Sequence, residues 1–172
     1  MLRIGRGIWR GRILRPDLKG VRPTPSRVRE ALMSILADRL NGAVVWDLFS
    51  GSGAFGIECL SCGASRAVFV DSSPRNLVLI KAFLTGQKGE FSFQTVKGRL
   101  PGAMDRLVPP ADIVFLDPPY DSPCIYSWIK ENRWSSVVSP GGMVIAESGG
   151  ESFDIPWTTR SYGDTHIHMM EV

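Results

Sequence analysis

The sequence predicts an α/β fold: a mostly parallel sheet with helices on both faces. From Val44 to about Glu147, short apolar runs alternate with helical stretches, the pattern of parallel strands joined by crossover helices. The first of these runs feeds a glycine-rich turn, Gly51-Ser52-Gly53-Ala54-Phe55-Gly56, and then a helix. Asp47, Asp71, Arg99 and Asp117 all fall where strands are expected to end. Open sheets of this kind bind ligands beyond the carboxyl ends of their strands, so these four residues share one predicted crevice.

The elements follow in order. A basic β-hairpin is expected over about residues 2–15. A Pro-Thr-Pro-Ser loop comes next, with Thr24 or Ser26 placed to cap a helix near Arg27 to Leu40. Val44–Leu48 reads as a strand and Ala54 to Ser61 as the helix after the glycine turn. Ala67–Val70 is the next strand, closed by Asp71, and a third strand precedes Gly98-Arg99-Leu100. The apolar run Asp112–Leu116 reads as a buried strand. Pro140-Gly141-Gly142 is expected to turn into a strand over Met143–Glu147. Thr158–Tyr162 and His166–Glu171 form a hairpin about Gly163-Asp164 that closes the sheet antiparallel. With no repeat, low-complexity tract or linker, residues 1–172 read as a single domain, divided into a basic arm (1–25) and a core (26–172).

Composition agrees. Of 172 residues, 44% are apolar, enough for one core. No run of about eighteen apolar residues predicts a membrane span. Three cysteines, an odd number, argue against a disulfide framework and for a reducing cytoplasm. Cys59-Leu60-Ser61-Cys62 falls late in its helix with no second pair, which favours buried free thiols over a metal or redox site. His166 and His168 share a strand face but lack a third ligand, so no metal is expected. Charge is uneven: residues 1–29 carry +8, leaving −5 on the rest of a chain whose net charge is +3. That asymmetry suits a polyanion, most simply RNA phosphates.

Asp117-Pro118-Pro119-Tyr120 follows the Asp112–Leu116 strand directly. Two prolines hold an extended, stiff loop with bare carbonyls. Such a loop suits a planar base bearing an exocyclic amine: Asp117 and the Pro118 carbonyl accept its two hydrogens, and Tyr120 stacks on the ring. The glycine turn matches G-x-G-x-x-G, but Asp47 closes the strand and three residues separate it from Gly51, unlike a dinucleotide fingerprint. An acid there suits an ammonium group, and Asp71 suits the paired hydroxyls of a ribose. An amino-acid end joined to a ribose describes S-adenosylmethionine.

The order Asp47-x-x-x-Gly51-x-Gly53, Asp71, Asp117-Pro118-Pro119-Tyr120 resembles class I S-adenosylmethionine-dependent methyltransferases acting on a nucleobase amine. Trp9-Arg10-Gly11-Arg12, the stretch Arg22-Pro23-Thr24-Pro25-Ser26-Arg27-Val28-Arg29-Glu30-Ala31-Leu32, and Tyr162-Gly163-Asp164-Thr165 resemble the bacterial RsmD family. The resemblance covers nearly the whole chain. It implies a Rossmann-like fold with a seven-stranded sheet and methylation of a guanine N2 amine in small-subunit (16S) ribosomal RNA. The partner it implies is that RNA, the small subunit or an assembly intermediate, in the cytoplasm, with neither membrane nor metal. Asp117, Pro118, Pro119 and Tyr120 are then catalytic. Asp47, Gly51, Gly53, Phe55, Asp71, Ser72 and Arg99 bind the cofactor, and Arg6, Arg10, Arg12, Arg22 and Arg27 bind RNA. The chain departs from the family at Arg99, where an acid or amide usually meets the adenine amine, and at Phe83-Leu84, where relatives carry an Asn. Two alternatives stay open: a methyltransferase of a DNA or RNA adenine N6 amine, and a non-catalytic RNA-binding relative.

Overall fold

The structure, a computed structural model, describes residues 2–15, 24–154 and 156–172. At the N-terminus β1 (Leu2–Arg3) pairs antiparallel with β2 (Ile13–Leu14), forming the expected basic hairpin. Helix α1 (Ser26–Ile35) follows. Strands β3 (Val44–Leu48), β4 (Arg66–Asp71), β5 (Ser92–Lys97), β6 (Ala111–Leu116) and β7 (Val138–Ser148) are parallel. Helices α2 (Ala54–Ser61), α3 (Pro74–Thr85) and α4 (Pro123–Glu131) lie between them in sequence. Strands β8 (Thr158–Tyr162) and β9 (Thr165–Glu171) form the closing hairpin, β9 antiparallel to β7. The sheet order is β5-β4-β3-β6-β7-β9-β8. The chain winds outward from β3 to β5 and then returns to β6, so β3 and β6 flank the switch point where a crevice must open.

Alternation along the strands splits the core in two. Val45, Phe69, Phe115, Ile145 and Ile167 face α1, α2, α3 and the N-terminal hairpin. Trp46, Val68, Val114, Leu116 and Val144 face Tyr126 and Ile129 of α4, with Trp134 beside them. Both faces are therefore buried, as a parallel sheet requires.

Three local expectations are corrected. Neither Thr24 nor Ser26 caps α1: Pro25 occupies the cap without a side-chain bond, and Ser26 is the first helical residue. The Thr24 hydroxyl is drawn elsewhere, to Asp117. Helix α1 stops at Ile35 and tightens into a 3-10 turn, Ala37–Arg39, whose Arg39 N–H bonds the Leu36 carbonyl at 2.8 Å. This i→i+3 turn absorbs free carbonyls at the helix end. Pro140-Gly141-Gly142 does not precede a strand but lies inside β7, where the register to β6 shifts between Ala111 and Ile113. Glycine suits that irregularity: a Cβ on Gly142 would stand 2.6 Å from Val138 Cγ1 and 2.8 Å from the Asp112 carbonyl.

The hairpin is docked, not free. Trp9, 2% exposed, packs edge-on against Phe83 and Phe91, and its backbone N–H bonds Ser61 Oγ at 2.9 Å. Gly7 lies at φ 77 against the Ser61 carbonyl, where any side chain would collide. Arg29 is buried and joins three segments. Its guanidinium bonds the Thr24 carbonyl (2.8 Å), the Arg3 carbonyl (3.2 Å) and Glu58 Oε1 (3.4 Å). Cys59 is buried, Cys62 half-buried and Cys124 exposed, all free. No described helix is long and apolar enough to cross a membrane.

Candidate active site

The carboxyl ends of the strands around the switch point open on a crevice of about 850 Å³. Asp117 follows β6 immediately, and its N–H reaches the Leu48 carbonyl at 3.3 Å, which keeps the Asp-Pro-Pro-Tyr loop against the end of β3. Its Oδ2 accepts a hydrogen bond from Thr24 Oγ1 at 3.3 Å. Burial, and then the nearby Glu147 carboxylate, hold the Asp117 carboxyl well above the usual carboxylate range. Tyr120 is 43% exposed but not loose. Its hydroxyl donates to Glu147 Oε1 at 3.0 Å. Its ring lies so close to the Gly149 backbone that a Cβ there would strike it. Burial and Glu147 raise the phenol pKa, so Tyr120 stays a neutral donor.

Glycines bring the start of α2 against the sheet. Gly53, the helix N-cap, has φ 71, and a Cβ on it would sit 2.6 Å from Ile80 Cγ1. At Gly56 a Cβ would sit 2.5 Å from Phe69 Cε1 and 3.1 Å from Asp47 Oδ2. Asp47, 2% exposed, accepts the Gly56 N–H at 3.0 Å. Burial, reinforced by Asp71, pushes its pKa up to about 8. Asp71 Oδ2 accepts from Gly51 N–H and Oδ1 from Ser73 N–H, each at 2.7 Å. Both carboxylate oxygens are thus aimed by backbone, and each keeps a lone pair for a ligand hydroxyl.

Of the residues singled out from sequence, Gly51, Asp71, Ser72, Arg99 and Asp117 to Tyr120 line this crevice. Asp47 and Gly53 do not line it: Asp47 is buried against the Gly56 N–H, and Gly53 caps α2. Phe55 is buried beneath the glycine turn, stacked on Phe115 with ring centroids 4.1 Å apart. Arg99 is exposed on the rim. Arg6 and Arg10 lie beside Cys62 and Glu30, at the far end of α2 from the glycine turn. Since α2 has eight residues, that is about 12 Å along the helix. Arg12 and Arg27 are exposed, and Arg22 lies outside the described residues.

Sequence reasoning missed several lining residues. Phe49 has φ 64, unusual for a bulky side chain and a sign of strain beside the crevice. Asn76 is buried in α3, and its backbone N–H is capped by Ser73 Oγ. Ser73 followed by Pro74 was a readable helix start. Glu147 lay in plain view as the last acid before a strand end, but nothing in the sequence joined it to Tyr120. The two histidines are engaged by hydroxyls: Ser161 bonds His166, and Ser148 and Thr159 bond His168, each at 2.8 Å.

A family model described as Conserved hypothetical protein 95 matches residues 2–171. Ribosomal RNA small subunit methyltransferase D of Escherichia coli (strain K12) is 39% identical over 138 residues, 77% of this chain and 69% of that protein. The chain belongs to this family, the RsmD family of methyltransferases. Another RsmD relative, ribosomal RNA small subunit methyltransferase D of Haemophilus influenzae, is 31% identical over 159 residues, 86% of this chain and 78% of that protein. The solved structure of a hypothetical protein from Thermus thermophilus superposes with a TM-score of 0.81 at 27% identity, covering 100% of both chains. This chain and that Thermus protein therefore share their overall fold.

Proposed function

We propose that this enzyme methylates the exocyclic N2 amine of a guanine in small-subunit ribosomal RNA, in the cytoplasm, with S-adenosylmethionine as methyl donor. One observation carries the reading: the Asp117-Pro118-Pro119-Tyr120 loop and the Asp71 and Gly51 turn open into one crevice. The donor set fits the cofactor. Asp71, with both oxygens pre-aimed, suits the ribose diol. The Gly51–Gly53 turn lets a ligand approach the backbone, with Asp47 behind it as the acid that an ammonium end would draw into its charged form. Ser72 and Arg99 complete the rim. When bound, S-adenosylmethionine supplies an electrophilic methyl group.

The residues do the rest by placement. Asp117 and the Pro118 carbonyl accept the two amine hydrogens, which turns the nitrogen lone pair out of conjugation and toward the methyl group. Pro118 and Pro119 stiffen the loop that holds this geometry. Tyr120, tethered at its hydroxyl, offers its ring to a base that is unpaired or flipped out. Alignment of this kind contributes roughly 7–11 kcal/mol. As the nitrogen gains its methyl group it sheds a proton. The raised pKa of Asp117 makes it a better acceptor of that proton than a solvated carboxylate. Residues 26–172 form the catalytic core. Residues 1–25, with Arg6, Arg10, Arg12 and Arg22, form the arm that holds RNA phosphates, aided by Arg27. Mass mapping of ribosomal RNA nucleosides from a strain lacking this gene tests the assignment: one N2-methylguanine should disappear from the small subunit, and an unchanged map refutes it.

A further inference from the structure

The sheet register sets a second acid beside the first. Leu116 and Ala146 are partners in the parallel pair β6·β7, so Asp117 and Glu147 leave neighbouring strands side by side. Paired strands lie about 4.8 Å apart. Glu147 stands on the Ile145 face of the sheet, the face that α1 covers and from which Thr24 reaches Asp117. Glu147 is 2% exposed, yet it lines the crevice. Tyr120 hangs from its Oε1, and the Tyr126 hydroxyl donates to its backbone carbonyl at 3.4 Å. The base-binding end of the crevice is therefore walled by two adjacent carboxyl groups with an aromatic ring suspended from one of them.

A base edge that meets two such acceptors needs two neighbouring donors. Guanine has them: N1–H stands next to the N2 amine. The edges of adenine and cytosine pair their amine with an unprotonated ring nitrogen, which would set a lone pair against a buried carboxylate. Resting on the methyl-transfer reading above, we propose that Glu147 determines specificity, accepting the N1–H of guanine while Asp117 accepts from the N2 amine.

A structural Glu147 would hold Tyr120, and a glutamine could do that equally well, because its amide oxygen accepts the same hydrogen bond. Glu147→Gln therefore keeps the tether and converts the other carboxylate oxygen into a donor. The probe is small-subunit RNA, reconstituted into particles, with either guanine or 2-aminopurine at the methylated site. 2-Aminopurine keeps the N2 amine but carries an acceptor at N1. The readout is the ratio of kcat/KM for the two bases, with melting temperature and S-adenosylmethionine affinity as controls for folding. The wild type should favour guanine by about 100-fold or more. Glu147→Gln should narrow that preference to within about tenfold or invert it. If the glutamine variant does not fold, Glu147→Asp, which withdraws the carboxylate by one methylene, should narrow the ratio in the same direction. A ratio that matches the wild type overturns the role of Glu147 alone. Failure of the wild type to methylate the guanine substrate at all overturns the guanine reading, and this inference with it.

Discussion

In the proposed reaction Asp117 does two jobs that pull its chemistry in opposite directions. It must accept hydrogen bonds from an amine, which favours the carboxylate, yet burial and Glu147 favour the acid. In the proposed complex the donors of a bound base would resolve the conflict by stabilising the charge, so that the site ionises as it fills. Asp117→Ala removes the acceptor without touching the cofactor end. Methyl transfer should fall at least about 100-fold, within the range of positioned acid–base groups, while cofactor affinity by titration calorimetry stays within a few-fold. Near-normal turnover would remove Asp117 from the mechanism. Asp71 carries the opposite expectation. It orders Gly51 and Ser73 through backbone N–H bonds, and in the proposed complex it also faces the ribose. Two charge-assisted bonds at about 1.5–3 kcal/mol each imply that Asp71→Ala weakens S-adenosylmethionine binding about 100-fold or more. Unchanged affinity would place the ribose elsewhere.

The N-terminal hairpin shows how one element can be structural on one side and polar on the other. Trp9, a natural candidate for stacking on RNA, is committed to Phe83 and Phe91. Arg29, one of nine basic residues in the first 29, is buried in an ion pair with Glu58. In the proposed complex the exposed arginines are left for RNA, and their distance from the glycine turn separates the grip from the chemistry. Replacing Arg6, Arg10 and Arg12 together with alanine should flatten the salt dependence of RNA binding by about two to three units of slope, if each meets a phosphate. Cofactor affinity should not move. Coincident slopes in a salt titration would make the hairpin a solvated face. Element boundaries were legible where one residue type decides them: α2 runs from Ala54 to Ser61, as its glycine turn predicts. They were not legible where tertiary contact competes. Thr24 reads as a cap by propensity, but in the fold its hydroxyl is drawn across to Asp117.

At the scale of the whole molecule, two buried titratable groups set the pH tolerance of the fold. Burial, then His166 and Lys130, lower the His168 pKa from 6.5 to about 4. The unfolded chain takes up that proton first, so stability is lost as pH falls from 6.5 towards 4. Asp47 acts with the opposite sign. Its pKa rises from 3.8 to about 8, so the folded state keeps a proton that the unfolded chain releases, and stability falls as pH climbs across that interval. The two effects oppose each other below pH 6.5. Between 6.5 and 8 Asp47 acts unopposed by His168, and Asp117 has the same sign. The melting temperature of cofactor-free protein should therefore decline from pH 6.5 to 8, as unfolding free energy falls by up to about 1.4 kcal/mol per pH unit for each such proton. Asp47→Asn should flatten that decline, and equal slopes would show that Asp47 ionises freely.

The alternation of strands and helices, the glycine turn and the Asp-Pro-Pro-Tyr loop were all readable, because strand periodicity, glycine turns and proline stiffness are local properties. The Glu147 to Tyr120 bond, the strained Phe49 and the sinking of Asp47 and Phe55 behind the turn were not. Each depends on which strands become neighbours, and that is decided by the whole sheet. The central claim is that this crevice transfers a methyl group to a guanine amine. Purified protein, labelled S-adenosylmethionine and small ribosomal subunits lacking the modification, followed by nucleoside mass analysis, test it most directly. The account predicts N2-methylguanosine as the single labelled product; N6-methyladenosine, or no transferred label, would contradict it.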